Sequence, residues 1–428
     1  NSDIYLYNIN KNETKNISAP IMGFDKNPVF SNDGSKIVWE SMERDGYESD
    51  KIRIMVKDLN TGELVNYSQD FDQNAFNFVW ADDDKSLYFI SGIKATKQIF
   101  NLKFETNEIN QITKGVHNYL SFDLADGFAI TGIQSMSQPT AIYKTDLKTG
   151  DKTQISSVNN EMLDKITLGK VEKRWITTTD NKQMLTWIIY PPNFDANKKY
   201  PTLLYCQGGP QSAVSQFFSY RWNFQIMAAN DYIIVAPNRR GLPSFGQEWN
   251  EQISKDYGGQ NMKDYFSAID ALAEESYVDN DNLGAIGASY GGLSVFWIAG
   301  HHEKRFKAFI AHDGIFNFSS MYGSTEELWF VDWDLGGPYW DKTDENSYED
   351  SPHLSVKNWD TPILIVQGGY DFRVPETQAF EAFTAAKVLG IDAELLYFPT
   401  ESHFVLQPQN AILWQREFFG WLDKYLKN

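Results

Sequence analysis

Short runs of alternating apolar and polar residues fill the first third of the chain, and their context recurs about every 40 residues. Three copies open on an aromatic residue and a polar turn ahead of a strand. These are Phe30-Ser31-Asn32-Asp33-Gly34-Ser35 before Ile37-Val38-Trp39, Trp80-Ala81-Asp82-Asp83-Asp84 before Leu87-Tyr88-Phe89, and Phe122-Asp123-Leu124-Ala125-Asp126-Gly127 before Ala129-Ile130. Asp-Gly and Asp-Asp turns suit tight hairpins. The copies close on a second hairpin, as in Ile54-Met55-Val56-Lys57-Asp58-Leu59 with Thr61-Gly62 and Ile142-Tyr143-Lys144-Thr145-Asp146-Leu147 with Thr149-Gly150. The opening segment, Ile4-Tyr5-Leu6-Tyr7-Asn8-Ile9, matches only this closing half. Residues 1–158 therefore predict about three and a half C-terminal blades of a β-propeller, fewer than the roughly four to eight that close a ring. The expectation is a chain whose N-terminal part is missing, with a β-sandwich of short strands as the alternative for this region.

From residue 159 to 428 the pattern changes to apolar runs alternating with helical periodicity, which predicts an α/β domain with a mostly parallel sheet. An antiparallel pair, Lys173 to Thr178 with Leu185 to Tyr190, comes first. Buried strands follow at Thr202 to Cys206, Tyr232 to Ala236, Leu283 to Ile286, Ala308 to Ala311, Ile363 to Val366 and Glu394 to Phe398. Helices are expected at Met262 to Glu275, Glu376 to Leu389 and Ala411 to Leu426, an order that fits the α/β-hydrolase fold.

Composition narrows the function. A formal charge of −19 argues against nucleic acid as a partner, since phosphates are bound by clustered Lys and Arg. No apolar run approaches the roughly 20 residues that span a bilayer, so no membrane segment is expected. The single cysteine, Cys206, excludes an intrachain disulfide.

The chemistry is carried by Gly287-Ala288-Ser289-Tyr290-Gly291-Gly292, placed between the strand ending at Ile286 and the apolar run Leu293 to Ala299. This is a nucleophile elbow, in which glycines let a strand turn sharply into a helix and expose the serine hydroxyl. In such a fold the acid and then the base follow the serine along the chain. Asp371, just past the strand Ile363 to Val366, is the candidate acid. Of six histidines, His117 lies in the repeats, His301 and His302 are adjacent on a segment expected to be exposed, and His353 and His312 precede the acid. His312 ends a strand near the site and is the rival base. His403 follows the last strand and is the candidate base. The expected oxyanion donors are the backbone N–H of Tyr290 and a glycine N–H from Gln207-Gly208-Gly209-Pro210. No H-E-x-x-H is present, adjacent histidines do not share a helix face, and no metal is expected.

With these motifs assembled, the chain resembles the prolyl oligopeptidase family, through Gly208-Gly209-Pro210, Asn238-Arg239-Arg240-Gly241, Gly287 to Gly292, Ser351-Pro352 and Asp371-Phe372-Arg373-Val374-Pro375. The resemblance implies a propeller joined to an α/β-hydrolase peptidase domain, with peptides as partners and no cofactor. Gln207-Gly208-Gly209-Pro210-Gln211-Ser212, Arg221-Trp222-Asn223, Glu326-Glu327-Leu328-Trp329-Phe330 and Trp333-Asp334-Leu335-Gly336-Gly337 are similar to its bacterial dipeptide-releasing members. They imply removal of dipeptides from free N-termini and a periplasmic or secreted setting, and they allow a homodimer. Gln207 stands where relatives often place His or Tyr, which leaves the N–H of Gly209 as the expected second oxyanion donor. Gln367 likewise replaces a frequent His. Trp329, Phe330 and Trp333 sit where relatives form the pocket for the residue before the cut, implying an apolar preference, with core packing as the alternative. Glu326 and Glu327 are candidates to hold the substrate ammonium, and Arg240 with Asp264 is expected as an ion pair beneath the site. Two other functions stay open: an acylaminoacyl-peptidase or oligopeptidase of the same family, and a propeller-based binding protein with an inactive hydrolase domain.

Overall fold

Strand Gln138–Asp146 shows why the first part of the chain folds as it does: its side chains alternate strictly between buried and exposed, as a pleated strand with one covered face requires. The computed structural model describes residues 2–341 and 347–427, which divide into two compact units. The first comprises Asn1–Lys165, Ser215–Phe218 and Pro243–Glu251, and the second Ile166–Val214, Ser219–Leu242 and Gln252–Asn428. The division thus falls at Lys165/Ile166 rather than 158/159, and two short later segments group with the first unit. Asn118 Nδ2 donates to Ser215 Oγ at 3.0 Å within it.

In the first unit each repeat is a four-stranded antiparallel meander. Asp25–Phe30, Lys36–Ser41, Arg53–Asp58 and Leu64–Asn66 form one sheet. Ala75–Trp80, Ser86–Ile93, Thr96–Lys103 and Glu108–Gln111 form the next. Asn118–Ala125, Phe128–Ser135, Gln138–Asp146 and Lys152–Gln154 form the third, joined to the second by the parallel pairing of Asn118 with Lys97. The opening segment pairs as a ribbon, Tyr5–Asn8 with Glu13–Asn16. Successive sheets bury their apolar faces on each other, Val38, Ile54 and Val56 against Phe78, Trp80 and Phe89, and Ile90 and Ile99 against Tyr119 and Phe122. The closing hairpins share one turn: Asp58 Oδ1 accepts from the N–H groups of Asn60 and Thr61, and Asp146 Oδ1 from those of Lys148 and Thr149. One detail differs from the sequence reading. Phe122 to Ala125 continue the strand, so the third opening turn is confined to Asp126-Gly127.

The second unit is built on an eight-stranded sheet: β1 (Val171–Thr177), β2 (Gln183–Ile189), β3 (Tyr200–Cys206), β4 (Ile233–Pro237), β5 (Val278–Ala288), β6 (Ala308–His312), β7 (Ile363–Gly368) and β8 (Ala393–Phe398). Their order is β1-β2-β4-β3-β5-β6-β7-β8. The pairs β1/β2 and β2/β4 are antiparallel and the rest parallel, which is the α/β-hydrolase sheet. Its central strands are nearly continuous apolar runs because both faces are covered. The helices that matter below are α1 (Phe224–Ala229), α2 (Gln260–Ala273), α3 (Tyr290–Ala299), α4 (Leu328–Leu335), α5 (Thr377–Val388) and α6 (Pro408–Leu426). Helix α1 is started by Asn223, whose side chain accepts from the N–H groups of Gln225 and Ile226. Helix α6 starts on Pro408 and buries Trp414, Phe418, Trp421 and Leu422 along one stripe.

Beneath the sheet's active end lies the expected ion pair. Arg240, 1% exposed, donates through Nε to Asp264 Oδ2 at 2.9 Å and through Nη2 to Asp180 Oδ1 at 2.6 Å and Thr178 Oγ1 at 3.1 Å. Asp264 also accepts from the Arg240 N–H and from Gln260 Nε2. Removing one partner strands a buried charge, so Asp264→Ala should lower unfolding free energy by about 3–5 kcal/mol. Guanidinium melts of the two proteins measure this, and a change under about 1 kcal/mol would show the pair to be dispensable.

Candidate active site

Ser289 follows β5 directly and caps α3 with φ 59° and ψ −123°, a conformation side-chain-bearing residues rarely hold. The strain is sustained by the neighbouring strand: the Ser289 N–H donates to the carbonyl of His312, the last residue of β6, at 2.8 Å. Gly291 is required by close approach, because a Cβ there would stand 2.1 Å from the carbonyl oxygen of Cys206. Gly208 is required for the same reason, its Cβ falling 2.6 Å from the Ala288 carbonyl oxygen and 3.5 Å from Ser289 Cβ. The loop carrying Gly209 therefore passes against the elbow. Tyr290 opens α3, so its N–H has no acceptor within the helix.

Asp371 and His403 are brought together. Asp371 lies on the turn after β7, its carboxylate buried, with Oδ1 accepting from the N–H groups of Arg373 at 3.0 Å and Val374 at 2.9 Å. Oδ2 accepts from His403 Nδ1 at 2.7 Å, which places the ring's proton on Nδ1 and leaves Nε2 as the basic nitrogen. The loop that holds His403 is fixed by Glu401, a residue the sequence reading missed. This buried carboxylate accepts from Leu406 N–H, Gln407 N–H and Asn410 Nδ2 at 3.0, 3.1 and 2.6 Å. Backbone bonds from Gly369 to Phe398 and from Tyr370 to Glu401 join the two loops.

A second carboxyl was also missed. Asp313, 1% exposed at the end of β6, has Oδ2 3.8 Å from His403 Nδ1 and 3.2 Å from His312 Nε2. Burial, with Asp371 adding to it, pushes this carboxyl well above the usual range, while His403 and Arg221 oppose the shift. Asp313, Asp371 and His403 are the cluster with metal-ligand spacing among the described residues, within 4.8 Å of one another, but His403 Nδ1 is already engaged by Asp371.

The other histidines are accounted for. His312, the rival base, is buried against Trp222 and Trp414 and held neutral, its pKa pushed down to about 3 by burial and then by Arg221. His302 is not exposed as expected: it is buried, with Nε2 3.2 Å from Asp360 Oδ1, and only His301 lies on the surface, stacked on Trp297. Both follow the end of α3, where His301 stays on the helix surface through Trp297 while His302 turns in against Phe306 and Phe309. His353 is bonded to Ser351 Oγ at 2.7 Å, and His117 lies in the first unit.

The candidate oxyanion loop is held from below by Arg239, fully buried, which donates to the carbonyls of Pro210 at 2.8 Å and Arg240 at 2.7 Å and to Tyr265 Oη at 3.1 Å. Its guanidinium lies 4.6 Å over the Tyr290 ring, whose hydroxyl donates to Asn261 Oδ1 and the Tyr257 carbonyl. The Gln207 N–H donates to Tyr265 Oη, so that amide is occupied. Helix α4 carries Trp329, Phe330 and Trp333, and Trp329 is 62% exposed, which excludes core packing for it. Asp334 ties this helix to the loops, accepting from Gln211 Nε2, Ser254 Oγ and Tyr257 Oη at 3.0, 2.8 and 2.7 Å. Glu327 pairs with Arg373 Nε at 2.8 Å and the more exposed Glu326 stands 3.8 Å from Arg373 Nη2, so the two acids lie beside the Asp371 turn.

Residues 218–428 match the prolyl oligopeptidase family. The whole chain is 51% identical to dipeptidyl-peptidase 5 of Porphyromonas gingivalis and 51% identical to that of Porphyromonas endodontalis. The matched segment, residues 218–428, is similar to the prolyl oligopeptidase family. It spans 63% and 62% of the lengths of those two relatives. The fold of an acylaminoacyl peptidase from Pyrococcus horikoshii superposes with a TM-score of 0.86 at 23% identity, covering 100% of this chain and 66% of that one. In family terms, the elbow, the acid turn and the base loop all fall inside the matched segment.

The fit of Gly208 against the elbow can be tested directly. Gly208→Ala should slow labelling of Ser289 by a fluorophosphonate at least about tenfold while leaving the far-ultraviolet circular dichroism unchanged. Labelling at the native rate would show that the loop does not touch the reacting centre.

Proposed function

We propose that the protein is a serine exopeptidase that releases dipeptides from the free N-terminus of peptides and prefers an apolar residue before the cut. The observation that carries this reading is the 2.7 Å bond from His403 Nδ1 to Asp371, on loops that follow the elbow serine in family order, in a chain 51% identical to a dipeptidyl-peptidase 5. In this mechanism Ser289 Oγ attacks the substrate carbonyl as His403 Nε2 takes its proton. Asp371 holds the tautomer and stabilises the imidazolium. The N–H groups of Tyr290 and Gly209 receive the oxyanion, each contributing on the order of a hundredfold in rate. His403 then protonates the leaving amine, and water, activated by the same imidazole, releases the dipeptide from Ser289.

The finer parts of the reading rest on named features. The stacked four-stranded meanders support residues 1–158 as blades of a β-propeller. Exposed Trp329 supports an apolar contact with substrate. Glu326, less closely held by Arg373 than Glu327 is, is the better candidate for the substrate ammonium. A periplasmic or secreted location belongs to the same reading and rests on the family likeness.

A dipeptidyl anilide with a free amino group should be cleaved at least about a hundredfold faster than its N-acetyl form, and Ser289→Ala should lose about 10⁴-fold or more in kcat. Faster cleavage of the acetylated substrate would instead make the protein an acylaminoacyl-peptidase. Glu326→Gln should raise KM for the free-amine substrate about tenfold with kcat little changed. An unaltered KM would remove Glu326 from the binding site.

A further inference from the structure

Arg221 precedes α1 and is held rigidly by its backbone. Its N–H and that of Trp222 donate to Ser219 Oγ, both at 3.1 Å, and its carbonyl accepts from Gln415 Nε2 of α6 at 3.1 Å. The Trp222 ring beside it is packed among Trp414, Phe418 and His312. The side chain is partly buried, and its guanidinium carbon lies 4.3 Å over the ring of Phe404. Phe404 follows the candidate base, with its ring 5.2 Å from the imidazole of His403. Arg174, Arg239, Arg240, Arg305 and Arg373 of the same unit each donate hydrogen bonds or hold an ion pair. Among the described residues, the Arg221 guanidinium does neither. Asp313 and Tyr205 attract it from a distance. Five N–H donors taken partly out of water without a partner cost stability. An oxygen supplied by a ligand would offset that cost.

The direction from which that oxygen comes follows from the chemistry. The imidazole that takes the serine proton must pass it to the leaving amine, so the peptide beyond the cut lies on the imidazole's side of the site. We propose that Arg221 is a specificity-determining residue on this leaving-group side, donating hydrogen bonds to a carbonyl or carboxylate oxygen of the peptide C-terminal to the cleaved bond. Its flat face stays on Phe404 while its edge meets the substrate. The proposal rests on the serine-peptidase reading above.

The test uses the full chain, Arg221→Gln and Arg221→Lys on three substrates with the same first two residues: a dipeptidyl anilide, a tetrapeptide acid and the tetrapeptide amide. The anilide has no residue past the cut, so its turnover by the unsubstituted chain checks the underlying reading separately, and its failure overturns both. Arg221→Gln is expected to lower kcat/KM for the tetrapeptides about ten- to a hundredfold more than for the anilide, through KM, with partial recovery in Arg221→Lys. A larger loss for the acid than for the amide identifies the terminal carboxylate as the ligand, and equal losses identify a chain carbonyl. Parallel losses on all three substrates would make Arg221 a staple for the Phe404–His403 segment and overturn the proposal, as would tetrapeptide kinetics that do not change.

Discussion

Two buried guanidiniums at the end of β4 organise the catalytic end of the second unit. Arg239 and Arg240 are adjacent in sequence, and both are essentially inaccessible to water. Removing such ions from solvent costs several kcal/mol each unless their donors are taken up. Arg240 meets this demand on one side with Asp264, Asp180 and Thr178. Arg239 meets it on the other side with the Pro210 carbonyl, the Tyr265 hydroxyl and the Tyr290 ring. Those last contacts fix the two segments that offer the candidate oxyanion donors. The Gly209 loop and the first turn of α3 are thus clamped to a common cation before any substrate arrives, which is the preorganisation that electrostatic stabilisation of a developing charge requires.

The acid and base are organised differently, by short backbone and carboxylate bonds between two loops that follow adjacent parallel strands. Asp371 is oriented by two N–H groups of its own turn, and His403 by a loop that Glu401 pins to the start of α6. Asp313 stands behind the same imidazole without hydrogen-bonding it. Burial favours the neutral form of this carboxyl, with His403 and Arg221 opposing the shift.

Much of this was readable from residues in order. The elbow, the acid after β7 and the base after β8 are local motifs set by strand ends, and the parallel sheet announces itself as continuous apolar runs. The repeats were readable as well, since the Asp-to-Thr turn at residues 58–61 recurs at 146–149 with the same bonds. Other features depend on segments far apart in the chain. Asp313 looks like any residue after a strand until β7 and the His403 loop fold over it. Glu401, Arg239 and Arg221 have roles only through partners that no spacing rule connects. His302 was misplaced because adjacency to an exposed His301 says nothing about which side of a helix end each occupies. Asp123 to Ala125 read as part of the opening turn because of the aspartates among and beside them, whereas they continue the strand.

The stacking of the first unit has a thermodynamic corollary. Among the described residues the apolar clusters of the first unit join neighbouring sheets in the series, so the free energy of the array is close to a sum of sheet and interface contributions. Cooperativity then comes from the interfaces. A substitution in one of them loosens two sheets at once and leaves more distant ones nearly untouched, whereas the second unit has a single eight-stranded sheet whose central strands are buried along their length.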